Sequence, residues 1–184
     1  MGTLTVDNLN TSAITATSLT GVSTGKVLQV VTATKTDTFT LSSSDGTFTD
    51  VTGLSVSITP TSTSSKIFIT ANVNISGANR YGAIRFVRDS TAIGIGDADG
   101  SRTRVAVSSH RNPSATNDHH IMHNSSLSFL DSPNTTSATT YKIQIANTYA
   151  AGGYTVYINR GNTDADADYG HRGASTITVM EVSA

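Results

Sequence analysis

Apolar and polar side chains alternate along most of the chain from Lys26 onward. In KIFITANVNI, residues 66–75, every second side chain is apolar, and the intervening ones are Phe68, Thr70, Asn72 and Asn74. A period of two puts alternate side chains on opposite faces of a sheet, so this run predicts a half-buried β-strand. Further runs of the same type begin at Val27, Thr36, Leu54, Ala83, Thr103, Ile121, Tyr141, Tyr154 and Ser175.

Turn-forming pairs separate these runs. They include Asp45-Gly46, Thr52-Gly53, Asp89-Ser90, Asp99-Gly100 and Gly152-Gly153, which combine the residue types that tight turns favour. No segment keeps an apolar stripe with a period of 3.6 residues, so almost no helix is expected. The pattern predicts an all-β head over residues 26–184, an antiparallel β-sandwich of the jelly-roll type.

The first 25 residues have a different pattern. They are almost uncharged, and their apolar side chains are scattered through threonine and serine. Such a segment cannot recover its conformational entropy by packing on itself. We therefore predict an extended N-terminal docking arm over residues 1–25 that packs on another subunit or partner through Leu4, Val6, Leu9, Ile14, Leu19 and Val22.

The composition narrows the range of partners. Charged residues are only 14% of the chain and the formal net charge is −1, which gives no general attraction to nucleic acid or to an anionic membrane. Cysteine is absent, so disulfides and thiolate metal sites are excluded. Neither a signal peptide nor an apolar stretch of about 20 residues is present, so no membrane insertion is expected.

Several stretches resemble virion structural proteins of marine tailed bacteriophages, cyanophages included, which are commonly labelled tail-fibre proteins. The resemblance lies in TLTVDNLNT, GKVLQVVTATKTDTFT, DVTGLSVSITPTSTSSKI, STAIGIGDADGSRTR, LDSPNTTSATTYKIQI, YINRGNTDADAD and STITVMEV. It implies a trimeric β-sandwich head similar in build to the jelly rolls of C1q and tumour necrosis factor. It implies no catalytic residues.

Near the C-terminus, Asp164, Asp166 and Asp168 alternate with alanine. An EF-hand counted from Asp164 needs glycine at its sixth position and glutamate at its twelfth, but Tyr169 and Ser175 stand there. Three close carboxylates could still bind Ca²⁺ with the help of backbone carbonyls. The pattern favours a solvated loop between two strands, with a calcium site as the alternative.

Histidines cluster in the segment HRNPSATNDHHIMHN. On a strand His119 and His123 would share a face, and near a trimer axis they would form rings able to hold a metal or an anion. Local hydrogen bonding is the commoner role of loop histidines. We therefore expect no cofactor, with a metal at these histidines or at the aspartates as the alternative.

Candidate ligand-binding loops carry arginine, tyrosine and histidine. Arginine pairs with carboxylates and sugar hydroxyls through its planar fork, and an exposed tyrosine stacks on sugar rings. Tyrosines of this kind are more often part of a core or an interface. The residues that we assign to possible ligand loops are Arg80, Tyr81, Arg111, His119, His120 and Tyr169.

Enzymatic activity is not expected. The sequence contains no G-x-S-x-G elbow, no phosphate-binding P-loop and no H-E-x-x-H motif. The favoured interpretation is a virion protein, assembled as a homotrimer in the cytoplasm of a bacterial host and joined to other virion proteins. It would serve as a tail fibre or receptor-binding protein attaching to host surface polysaccharide. The alternative is a capsid decoration protein at three-fold positions, and a polysaccharide-degrading enzyme is a weaker rival.

Overall fold

A computed structural model describes residues 25–43, 46–77, 82–109, 120–148 and 155–183. Two sets of predicted site residues lie outside these ranges, so the predictions made for them stay predictions. The first set is the arm residues Leu4, Val6, Leu9, Ile14, Leu19 and Val22. The second consists of Arg80, Tyr81, Arg111 and His119.

The described residues form eleven strands. They are β1 (Val27–Lys35), β2 (Phe39–Ser42), β3 (Thr49–Ile58), β4 (Lys66–Gly77), β5 (Gly82–Arg88), β6 (Thr91–Ile93), β7 (Val107–Ser109), β8 (His123–Asp131), β9 (Thr139–Asn147), β10 (Thr155–Ile158) and β11 (Ser175–Val182). Within those ranges no helix is long and apolar enough to cross a membrane.

The first sheet is built around β4. Along one side β4 pairs with β8, from Ile67 opposite Asp131 to Ile75 opposite His123. Along the other side it pairs first with β11 and then with β10. The sheet is completed by β1 beside β11 and by β2 beside β10. All of these pairings are antiparallel.

The second sheet has the order β3–β9–β5, with β6 and β7 pairing with successive parts of β5. Its inner face packs on that of the first sheet. Alternate residues of β4, such as Ile67 and Ile75, are at most 1% exposed and meet Ile143 and Ile145 of β9 in one core cluster. The predicted all-β antiparallel sandwich is confirmed.

Polar side chains also join the two sheets. Asp131 at the end of β8 accepts hydrogen bonds from Arg88 of β5 through both carboxylate oxygens, each at 2.9 Å. The Tyr141 hydroxyl of β9 donates to the same carboxylate. Asp131 is 5% exposed, and a buried carboxylate is tolerated because it is paired and hydrogen-bonded.

The structure differs from the sequence prediction at some element boundaries. The prediction of a turn at Thr52-Gly53 is wrong, because both residues lie within β3. Gly53 has a φ of +87°, and the pairing with β9 shifts register between Asp50 and Ser55. A glycine with positive φ is typical of a β-bulge as well as of a turn, and the pattern did not distinguish them.

Candidate functional site

The outer face of the first sheet carries a row of apolar side chains across four strands. The register places Val30 of β1 opposite Met180 of β11, Met180 opposite Phe68 of β4, and Phe68 opposite Leu130 of β8. Val30 and Leu130 are each 55% exposed and Phe68 is 36% exposed. Side chains directly opposite each other on one face are in contact range, so these four residues form one continuous band, the apolar row.

Two rows of small polar side chains follow along the same face. They consist of Thr32, Thr178, Thr70 and Ser128, and then of Thr34, Thr176, Asn72 and Ser126. Their groups bond to one another: the hydroxyls of Thr32 and Thr178 are 3.0 Å apart, and Ser126 donates to Asn72 at 2.7 Å. We call these the hydroxyl rows. The apolar row and the hydroxyl rows contain no charged side chain.

The second sheet presents a different outer surface. Lys142 pairs with Asp50 at 2.7 Å, and Gln144 also donates to Asp50. Arg85 donates to Gln144 and lies 3.8 Å over the ring of Phe48. These groups form a hydrated, charged surface. The two outer faces of the sandwich therefore differ in chemistry. On the first sheet the apolar row and the hydroxyl rows are uncharged, and Lys66, which bonds to Ser132, lies at their edge.

Beyond the hydroxyl rows, this face ends in an open cavity of about 740 Å³, which we call the distal pocket. Its floor includes Asn74 of β4, opposite Asn124 of β8. Its walls come from the segment before β8 and from the loop between β10 and β11. The wall residues are His120, Ile121, Met122, Tyr169 and His171.

The polar groups of the distal pocket differ in how they are bonded, and the Asn74 amide is held by the Ala174 carbonyl at 2.6 Å. The Asn124 amide nitrogen donates to Oδ1 of Asn74 at 3.4 Å, and Oδ1 of Asn124 lies 3.2 Å from the Ser126 hydroxyl, whose proton is directed at Asn72. The rings of His120 and Tyr169 meet edge to face with centroids 4.7 Å apart. Nδ1 of His120 is buried and has no hydrogen-bond partner among the described residues, a condition that costs free energy unless another group satisfies it.

Asn159 positions the loop that carries Tyr169. It is fully buried at the end of β10, with a φ of +62°. Its amide nitrogen donates to the carbonyls of Lys35 and Asp37, and its side-chain oxygen accepts from Ser175 at 2.6 Å. Asparagine adopts this left-handed conformation more readily than most residues. The loop is thereby tied to the ends of β1 and β11.

Asp164, Asp166 and Asp168, which we call the acidic triplet, lie in this loop, and Asp164 forms ion pairs with two arginines. Arg160 and Arg172 face each other as an isolated β-bridge. Arg160 reaches Asp164 at 2.9 Å, and Arg172 contacts both carboxylate oxygens. The hydrogen bond from Arg172 contributes most, and with that from Arg160 it lowers the pKa of Asp164 below its ordinary value. This arrangement neutralises the carboxylate without a metal.

Among the described residues, no group of three or more His, Asp or Glu side chains is arranged to hold a metal ion. Asp166 and Asp168 are exposed in the loop, and His123 begins β8 opposite Ile75. The structure thus brings together His120 and Tyr169 of the predicted ligand residues. Sequence analysis missed Asn74, Asn124 and His171 as pocket residues, because their proximity depends on the β4–β8 register.

No protein-family model matches this sequence, and no curated protein matches it. In three-dimensional comparison the chain is similar to part of a chain in a structure of infectious bursal disease virus Gt strain, with a TM-score of 0.41 and 13% identity. The match covers 84% of the present chain and 40% of the other. A structure of the Gx strain gives a TM-score of 0.39, 13% identity and coverages of 84% and 38%. The chain thus spans about two fifths of the length of these viral chains.

Proposed function

We propose that this chain is a non-enzymatic structural protein of a virion surface, assembled as a homotrimer and acting as a tail fibre or receptor-binding protein. The resemblance of its sequence to structural proteins of marine tailed phages supports the virion role. The homotrimer is inferred from the apolar row and the adjoining hydroxyl rows on the outer face of the first sheet, which contain no charged side chain.

Such a face suits burial against another copy of the chain. Burying a charge without a partner is costly, and these three rows contain none. The apolar row gains free energy when it leaves water, and the threonine, serine and asparagine side chains can bond to their counterparts on another subunit. Closed symmetry would bury such a face in every copy without an open-ended chain of contacts.

The two ends of this face suit attachment at one end and recognition at the other. Lys26 and Ser183 bond to each other near the apolar row, so the described chain enters the head at that end. Phe68 and Asn74 lie six positions apart on β4, a separation of about 20 Å along a strand. This supports an arrangement in which the N-terminal segment joins other virion proteins and the distal pocket faces the host.

Purified particles of the phage that encodes the chain provide the test. Labelling with an antibody to the head, followed by electron microscopy, would locate the protein, and mass spectrometry would give its ratio to the major capsid protein. We expect a tail location and a low ratio. A capsid location with a ratio near that of the capsid protein would favour the decoration role instead. Absence from purified particles would contradict the virion role altogether.

The oligomeric state of the purified protein can be measured separately. Light scattering of the purified full-length chain at micromolar concentration should give three times the monomer mass. A stable monomer would contradict the proposed interface, and the apolar row would then need another partner.

A further inference from the structure

We infer that the distal pocket binds a neutral carbohydrate, with a sugar ring stacked on Tyr169 and its hydroxyls bonded to Asn124 and His120. The inference rests on the proposed host-attachment role and specifies the ligand class and the place where it binds.

The size and lining of the pocket fit a small glycan. A volume of about 740 Å³ lies within the range of about 300–1,000 Å³ that small-molecule sites occupy. Ile121, Met122 and Tyr169 give it an apolar wall, and Tyr169 is 53% exposed. A pyranose has an apolar face of C–H groups and a rim of hydroxyls. Such a ring matches a wall of this kind with a few polar groups beside it.

The unused hydrogen-bonding capacity favours a hydroxylated ligand over an apolar one. Within the described part of the chain, buried Nδ1 of His120 has no partner, and the Asn124 amide has a second N–H beyond the one given to Asn74. A sugar hydroxyl both donates and accepts, so it can bond to a ring nitrogen of His120 in either tautomer of the imidazole. An apolar peptide side chain or a second copy of the apolar row would leave these groups unpaired.

The charge of the site favours a neutral sugar over an acidic one. The described lining residues include no lysine, arginine, aspartate or glutamate. The nearby Arg160 and Arg172 share one carboxylate, that of Asp164, and neither of them lines the pocket. An anionic sugar in the pocket would therefore lose hydration without contacting a cation among the described lining residues, whereas a neutral sugar loses less hydration energy.

Saturation-transfer NMR on the full-length protein tests the inference. The probes are the methyl glycosides of glucose, galactose, mannose and N-acetylglucosamine, with glucuronic acid as the anionic counterpart. We expect at least one neutral glycoside to bind and glucuronic acid to bind more weakly. Tyr169→Ala should weaken binding at least about tenfold, whereas Tyr169→Phe keeps the ring and should retain most of it. Asn124→Ala should also weaken binding.

A matched control is Ser57→Ala, which removes a hydroxyl from the outer face of the second sheet and should leave binding unchanged. Circular dichroism and thermal melts would show that each variant is folded. If none of the four neutral glycosides binds, if the acidic sugar binds best, or if Tyr169→Ala has no effect, the assignment of the pocket is wrong.

The failure of this inference is distinguishable from failure of the proposed function. Phage particles that carry the Tyr169→Ala variant should incorporate it normally but adsorb poorly to host cells. Normal incorporation together with normal adsorption would overturn the pocket assignment and leave the virion role intact. Glycoside binding by the isolated protein, combined with its absence from particles, would instead support the pocket and overturn the virion role.

Discussion

The hydroxyl of Tyr141 donates a 2.8 Å hydrogen bond to the carboxylate of Asp131 and so joins the two sheets of the sandwich. Tyr141 is fully buried. Burial, with a smaller contribution from the Asp131 hydrogen bond, raises the pKa of its hydroxyl far above the ordinary value. The phenol therefore remains a donor at every pH at which the protein is handled.

Tyr141→Phe should lower the free energy of unfolding by about 1–3 kcal/mol. The change removes one donor from a buried carboxylate and leaves that acceptor site unpaired, although Arg88 still contacts both oxygens. Urea denaturation would measure the loss. Tyr169→Phe removes a hydroxyl from an exposed tyrosine and should change stability by less than about 0.5 kcal/mol. Equal effects of the two changes would contradict the role of the Asp131 bond.

Asn159→Ala should be among the most destabilising changes of a polar residue in the described part of the chain. It leaves two carbonyls and the Ser175 hydroxyl without their partner and puts alanine at positive φ. We expect a loss of at least about 3 kcal/mol.

Asn159→Gly separates the two causes of that loss. Glycine adopts positive φ without strain but makes none of the side-chain bonds, so it should be more stable than the alanine variant by about 1 kcal/mol. If glycine is no better than alanine in urea denaturation, the backbone conformation contributes little.

Glu181 should make the protein sensitive to acid. It is the only glutamate in the chain and is fully buried. Burial raises its pKa, but hydrogen bonds from Gln29, Ser65 and Thr61 outweigh that effect and lower the pKa to about 2. Because the folded-state value lies below the ordinary 4.5, the stabilisation is complete above that pH. It is lost as the pH falls toward 2.

Glu181→Gln isolates this effect from the titration of other carboxylates. The variant should be less stable than the wild type at neutral pH, since an amide nitrogen replaces one acceptor oxygen. The difference in free energy of unfolding should shrink as the pH falls from about 4.5 to about 2. Denaturation curves at several pH values would measure it. A difference that stays constant across this interval would mean that Glu181 has an ordinary pKa.

The alternation of side chains was sufficient to predict the sandwich, because burial on one face of a strand imposes a period of two. The run from Lys66 has that period and became β4, with Ile67, Ile69, Ala71, Val73 and Ile75 inside. The alternation within one strand does not show which other strands pair with it or in what register. For this reason the apolar row escaped detection: Phe68 and Leu130 are far apart in sequence, and each alone is an ordinary exposed apolar residue.

Because strand pairing and loop folding cannot be read from the local pattern, the distal pocket could be predicted only in part. His120 and Tyr169 were predicted from residue type, but their edge-to-face contact depends on the fold of the loop held by Asn159. The acidic triplet shows the converse case. Its composition is compatible with a calcium site or a solvated loop. In the structure the Asp164 carboxylate pairs with Arg172, eight positions later, an ion pair that the composition alone did not predict.

Calcium should not stabilise the protein. Asp164 is paired with two arginines, and the described residues contain no group arranged as a metal site. A site exposed to about a hundred times its Kd would raise the free energy of unfolding by about 2.7 kcal/mol. Thermal melts in millimolar CaCl₂ and in chelator should therefore coincide. A rise in Tm with calcium that Asp166→Asn abolishes would instead establish a site in the loop.

A lysine in the apolar row should separate the subunits of the proposed trimer. In Leu130→Lys the ammonium group would be buried in the interface without a partner, which opposes association but costs an isolated subunit little because the position is 55% exposed. We expect the dissociation constant to rise at least tenfold (about 1.4 kcal/mol), with an unchanged circular dichroism spectrum. Ser57→Lys adds the same charge to the other outer face and should leave the assembly intact. Light scattering over a concentration series would compare them, and a trimer of undiminished stability in Leu130→Lys would exclude this face as the interface.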